Sequence, residues 1–301
     1  MTVAVATPSF ELALPEQRLR DSLGLLAKNK LALIGAVIGI LFVIVGVVGL
    51  VVLWTPGLQH LYKQQDLLHS LAPPFTAGHL LGTDNFGEDV AWRIVAGVGI
   101  SLGIGLAVAG LSVIFGLVVG ATAGFLGGKV DALARAVLDL VWGFPLLLVA
   151  VIVVGVMGPG LPAVIVAVAL VNWAGFARII RAEAISIRQQ EFMEAARALG
   201  VPRHVAIARH VIPNTIGSTL VMTTYYIAQT VIVEAGLSFV GLGAQFPTPS
   251  LGQLIYNGTS YMYNDVWLPV IPGIVITLIV LGLNTLGDGL RDIFDPRSRR
   301  S

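Results

Sequence analysis

From Leu31 to Trp54 the chain runs without one charged residue. A helix crossing roughly 30 Å of hydrocarbon needs about 20 apolar residues at about 1.5 Å each, so this stretch alone can span a bilayer. It is longer than a signal-peptide core, which runs about 7–15 residues. It also follows a polar leader of 30 residues, and no small-residue cleavage site comes after it. It is therefore expected to stay in the protein as a first transmembrane helix.

Five further spans are predicted: Ile94 to about Ala123, Ala132 to Met157, Leu161 to about Arg181, Thr215 to Val240, and Val266 to about Leu290. With 56% hydrophobic and 12% charged residues, water cannot solvate most of the surface of such a chain, and lipid must. The fold class expected is all-α, a polytopic membrane protein with about six transmembrane helices. Small residues at Gly99/Gly103, Gly116/Gly120 and Gly120/Gly124 share a helical face, which suits close helix packing in lipid.

Sidedness follows from lysine and arginine, which concentrate in cytoplasmic loops. If the N-terminus is inside, only Lys63 and Arg93 of the 18 basic residues fall outside. Both termini are therefore expected in the cytoplasm. The layout is a cytoplasmic segment 1–30, a first span 31–54, an external loop 55–92, a five-helix core 93–291 containing a cytoplasmic segment 182–214, and a cytoplasmic tail 292–301. The basic residues sort by membrane side rather than into one patch, and the net charge is only +1, so no nucleic-acid partner is expected. With no cysteine there is no disulfide framework, thiolate metal site or cysteine nucleophile.

The segment 182–214 is the most informative. Glu191 to Gly200 is rich in good helix formers and ends at a glycine, a left-handed helix stop. Pro202 can open a second short helix, expected to run to about Ile212 and to be broken at Pro213 and Asn214. Ala195 and Ala196 beside Glu194 would let a partner's groove come close to the backbone, with Arg197, Arg203 and Arg209 at the rim. A lipid-surface amphipathic loop is the plainer reading of the same residues.

Glu194-Ala195-Ala196, then Gly200 and Pro213, resembles the "EAA" loop of ABC importer permeases; His210 to Asn214 is similar to the peptide-importer variant. Three other stretches resemble dipeptide, oligopeptide and nickel importer permeases of the C type. They are Gly82-Thr83-Asp84 with Gly87, Asp89 and Arg93; Glu234 to Gly243 with Pro247 to Ser250; and Leu286 to Asp292 with Asp295 to Arg297. Glu88 departs from that pattern, since relatives often carry a basic residue there.

The resemblance implies a type I ABC importer permease (MetI-like) architecture in a bacterial or archaeal plasma membrane. The expected role is a subunit that forms a translocation path and is not itself an enzyme. Implied partners are a related permease subunit making a heterodimer, two cytoplasmic ATPase subunits that bind ATP and Mg, an extracytoplasmic substrate-binding protein, and membrane lipid. Implied coupling residues are Glu194, Ala195, Ala196, Gly200, His210 and Pro213. Peptide is the cargo implied; nickel, opine or glutathione import would use the same architecture.

Other polar residues keep two readings each. Asp84 and Asp89 are candidates for contact with the binding protein, whereas Asn85 and Glu88 at capping-box spacing make this stretch a candidate start of the second span's helix. Asn172 and Gln229 are candidates to line the pore or to bond between helices. Asp139 is expected to pair with Arg135 one turn away. Glu234, about 31 Å beyond Pro213 along its helix, is expected near the external surface, in a structural role rather than a proton relay. An ion-coupled secondary transporter is the rival class that Asp139 and Glu234 suggest. No metal site is expected from His60, His69 and His79, whose spacing fits no ligand pattern. Gly99-Ile-Ser101-Leu-Gly103 lies inside an apolar stretch and lacks the strand-turn-helix setting of a nucleophile elbow. Gly128-Lys129 lacks the P-loop glycine upstream, so no cofactor is expected on this chain.

Overall fold

The computed structural model describes residues 30–76 and 78–294. Expectations for the N-terminal segment 1–29 and for residues 295–301 lie outside the described residues. Nine principal helices are used below: α1 (Lys30–Trp54), α2 (Val90–Leu126), α3 (Gly128–Trp142), α4 (Leu146–Met157), α5 (Leu161–Arg188), α6 (Glu191–Ala198), α7 (Arg203–Phe239), α8 (Leu251–Thr259) and α9 (Trp267–Phe294). Five of them, α1, α2, α5, α7 and α9, are each long and apolar enough to cross a membrane.

The third span differs from expectation. Ala132 to Met157 is not one helix but the pair α3 and α4, bent by 83°. Pro145 has no N–H to bond Val141, and it disfavours helical geometry at Phe144. Gly143 closes α3 by donating its N–H to the carbonyls of Asp139 and Leu140. At 15 and 12 residues, neither piece reaches the length of a span.

Packing register shows that the pair still returns the chain across the bilayer. Along α2 and α5, Gly116 faces Phe176, Gly120 faces Ala177 and Ile180, and Gly124 faces Ala184, so these helices run parallel. The chain between their ends must travel back. Asp131 and Asp139 of α3 meet Arg181 and Arg178 of α5, and Ala150 of α4 clusters with Val164 and Ala167, an antiparallel path along the whole of α5. The bent pair therefore makes the sixth crossing, and the two ends of the described chain lie on the same side.

Glycines let these helices meet backbone to backbone. A Cβ on Gly99 of α2 would lie 2.7 Å from the backbone of Gly49 and Leu50 in α1, inside van der Waals contact. In lipid, where apolar burial supplies little drive, such close approach is what holds helices together. Outward, α1 presents Leu33, Ile34, Val37, Ile40, Leu41 and Ile44, all exposed, as a lipid-facing stripe. The expected break at Pro213 is also absent. The chain widens into a π-turn at Ile207–Val211 and continues as α7, giving the ring of Pro213 room that a regular α-turn denies it.

Candidate functional site

The segment expected in the cytoplasm, 182–214, is the end of α5, the helix α6, a turn and the start of α7. Helix α6 ends as anticipated at Gly200, whose φ is +77°; the Gly200 N–H donates to Arg197 O and the Val201 N–H to Ala196 O. These two bonds are those of a Schellman stop, which needs a residue tolerant of the left-handed region. Met193 anchors α6: it is 0% exposed and packs with Phe125, Phe176, Ile180, Ile187, Ile207 and Val211, from α2, α5 and α7. The ends of three transmembrane helices thus hold one short surface helix.

Burial separates the two alanines. Met193 and Ala196, three residues apart, share the inward face, and Ala196 is only half-exposed. Glu194 and Ala195 are exposed and form the outward face together with Glu191 and Phe192. Of the two small residues expected to admit a groove, only Ala195 is open to one. The ring of His210 lies 6.0 Å from that of Phe192, joining α6 to the π-turn, and Asn214 Nδ2 donates to His210 O at 2.6 Å. Pro213 is exposed. Phe192 and Leu199 add exposed apolar surface, Leu199 at 85%. Sequence reasoning missed Met193, Phe192 and Leu199; a test of which residues lie three or four apart from Ala196 would have placed Met193.

On the membrane side of this segment, Asp131 of α3 receives Arg181 through two hydrogen bonds, the Nη2 contact at 2.9 Å, and Arg135 at 3.3 Å. Asp139 pairs with Arg178 at 2.8 Å. This corrects the expected Asp139–Arg135 pair. Arg135 stands four residues from both aspartates and turns to Asp131, while α5 delivers a different arginine to Asp139.

At the opposite end of the membrane-spanning helices, the start of α2 is capped by Asp89, which accepts from the Trp92 N–H at 3.0 Å, and not by Asn85. The expected capping box does not form because Glu88 turns inward and pairs with Arg93, both nearly inaccessible. Asp84, 5% exposed, accepts from the N–H groups of Phe86 and Glu88 at 2.9 Å each and lies 3.5 Å from Arg93. Burial pushes the Asp84 carboxyl up, and the Arg93 charge and the Phe86 N–H pull it back. The other Asp89 oxygen bonds His79 at 2.6 Å, and His69 bonds Asp66, whose carboxyl that bond lowers. Both candidate binding-protein carboxylates therefore shape the loop from within. Thr76 and Thr83 add short bridges to His79 and Asp89.

Glu234 is 0% exposed near the C-terminal end of α7. It accepts from Ser101 of α2 and Ser238 of α7, each at 2.8 Å, and Ser238 in turn accepts from the Ala244 N–H at 3.0 Å. The network ties α2, α7 and the loop before α8. Asn172 of α5 is buried with its amide nitrogen unpartnered among the described residues, and Gln229 of α7 is half-buried. Among the described residues no group of three or more His, Asp or Glu side chains could hold a metal ion.

Comparison with known proteins converges on one family. The family described as binding-protein-dependent transport system inner membrane component matches residues 113–300. The chain is 35% identical to the dipeptide transport system permease protein DppC of Alkalihalophilus pseudofirmus, over 93% of this chain and 90% of that one. It is 36% identical to the oligopeptide transport system permease protein OppC of Haemophilus influenzae, over 79% and 77%. Its fold is also found in inward-facing structures of the MetNI methionine ABC transporter. There the TM-score is 0.57 at 21% identity, over 67% of this chain and 97% of that one.

Proposed function

The chain belongs to the family of binding-protein-dependent transport system inner membrane components, and on that premise we propose that it is a permease subunit importing dipeptides or oligopeptides at the expense of ATP. The observation that carries this reading is α6, a short helix held against the ends of α2, α5 and α7 by Met193, with Glu194 and Ala195 outward. A force applied to that face would reach three transmembrane helices at once. The proposed partners are a related permease subunit, two ATPase subunits that bind ATP and Mg, and an external binding protein that delivers the peptide.

In this mechanism closure of the ATPases on ATP displaces α6, and the displacement passes as rigid-body motion to α2, α5 and α7. Glu194 and Ala195 seat α6 on the ATPase, Gly200 sets its turn, and His210 and Pro213 carry the link into α7. The external loop, shaped by Asp84 and Asp89, receives the binding protein. Asn172 and Gln229 lie on the helices assigned to the path. Selection rests with the binding protein.

The chain has no cysteine, so Ala195→Cys creates a single reactive position. In the assembled transporter, this cysteine is expected to cross-link to one placed in the ATPase docking cleft, with ATP altering the yield. Absence of any such cross-link in a complex that still imports peptide would refute the docking assignment. Uptake by the purified chain alone, driven by an ion gradient, would refute the ATP-driven reading and favour a secondary transporter.

A further inference from the structure

Behind α6, on the face turned from Glu194 and Ala195, lies a cavity of about 290 Å³. Its floor is apolar, built from Phe125 and Leu126 at the end of α2 and Met193 of α6, and Arg188, Arg197 and Arg203 line it. The Arg188 Nη1 lies beside Gly127, just past the end of α2, and Arg197 Nη2 reaches the Arg188 carbonyl, so at least two of these guanidinium groups gather where α2 and α5 end. Among the described residues no carboxylate pairs with any of them. Arg197 is held in place, donating from Nε to Met193 O at 3.2 Å and from Nη2 to Arg188 O at 3.0 Å. Cations fixed beside an apolar floor, with donors left over, favour an anion with several acceptor oxygens, and arginine matches phosphate geometry.

Depth and size identify the source of that anion. Leu126 and Arg188 are the last residues of α2 and α5, three and seven residues beyond the expected span ends at Ala123 and Arg181, so at about 1.5 Å per residue the cavity opens about 5–10 Å outside the hydrocarbon. That is the level of the lipid phosphates, and basic pockets between helices on the cytoplasmic side suit anionic headgroups. The volume is about ten times the ~30 Å³ share of one water, room for a glycerophosphate rather than a lone ion. Phe125, Leu126 and Met193 offer an apolar surface to the glycerol and the first methylenes.

We propose that this cavity binds the phosphate and glycerol of an anionic phospholipid from the cytoplasmic leaflet. The lipid would bridge the ends of α2 and α5 to α6 from behind, leaving the outward face free for a protein partner. Anionic lipid then becomes part of the assembly that holds α6 in place.

The test uses the complete transporter, purified in mild detergent and titrated separately with phosphatidylglycerol and phosphatidylcholine, with retained lipid read by native mass spectrometry. Wild type is expected to hold phosphatidylglycerol more tightly. Each arginine near an anionic headgroup is worth about fivefold in affinity, so Arg188→Gln with Arg203→Gln is expected to weaken one phosphatidylglycerol site about twenty-five-fold. Arg188→Lys with Arg203→Lys keeps both charges and is expected to retain most of that affinity, which separates lost charge from lost folding. Equal retention of the two lipids, or an unchanged phosphatidylglycerol site in the glutamine double variant, would overturn the proposal. So would displacement of the lipid by millimolar inorganic phosphate, which would assign the cavity to a free anion. Loss of the ATPase subunits from the glutamine variant with its lipid site intact would assign the arginines to a protein partner and overturn it equally.

Discussion

Substituting Gly200 isolates the turn that ends α6. Its φ of +77° lies in the left-handed region, and a Cβ built there meets nothing within 4 Å. No collision accompanies a side chain at this position, so the cost is that of the backbone conformation alone. That cost is about 1 kcal/mol for alanine and about 2 kcal/mol for a β-branched residue, while asparagine tolerates the region. Gly200→Val is therefore expected to lower the population with α6 in its Schellman stop about thirtyfold relative to an opened turn, Gly200→Ala about fivefold, and Gly200→Asn little. The assay is the stimulation of ATPase activity by loaded binding protein in proteoliposomes of the complete transporter, with uptake measured in parallel. Valine is expected to depress both while the amount of inserted protein stays at the wild-type level. Equal behaviour of the valine and asparagine variants would refute the argument, because they differ little in bulk but strongly in tolerance of positive φ.

Two further outcomes follow from the buried carboxyl groups. Asp131→Asn removes the negative charge and one of the two acceptor oxygens that hold Arg181 and Arg135, and charge-assisted bonds of this kind contribute about 2 kcal/mol, so the protein is expected to unfold at lower temperature in detergent, with α3 more open to protease. Unchanged unfolding and proteolysis would show that α3 is held by apolar contact alone. Glu234→Ala leaves the Ser101 and Ser238 hydroxyls without their acceptor and opens a cavity, a loss of about 3 kcal/mol; Glu234→Gln keeps the shape and an acceptor oxygen and is expected to cost about 1 kcal/mol. Equal thermal stability of these two variants would remove the network from the account of how α2 and α7 are joined.

Features encoded over a few adjacent residues are legible in the sequence alone. The charge-free run of α1 declares itself because hydrocarbon admits little else, and the stop of α6 declares itself because few residues but glycine accept the geometry that ends it. The bend between α3 and α4 is equally local, since Gly143-Phe144-Pro145 carries it, but uninterrupted hydropathy across Ala132 to Met157 outweighs one proline. Pro213 misleads in the other sense: proline does not break a helix that can widen into a π-turn beside it.

By itself, the sequence determined how often the chain meets lipid, that its basic segments share one side, and where a surface helix must stop. All three are decided by short windows of residues against a uniform solvent. Only the tertiary structure decided partners. Glu234 meets a serine 133 positions away, Asp131 an arginine 50 positions away, and Arg135 turns to one of two aspartates equally spaced from it. It also decided that Met193 and Ala196 face inward while Ala195 faces out. Such choices depend on which helices lie side by side and in what register, and glycine contacts such as Gly99 against Gly49 set that register across distances no local pattern spans.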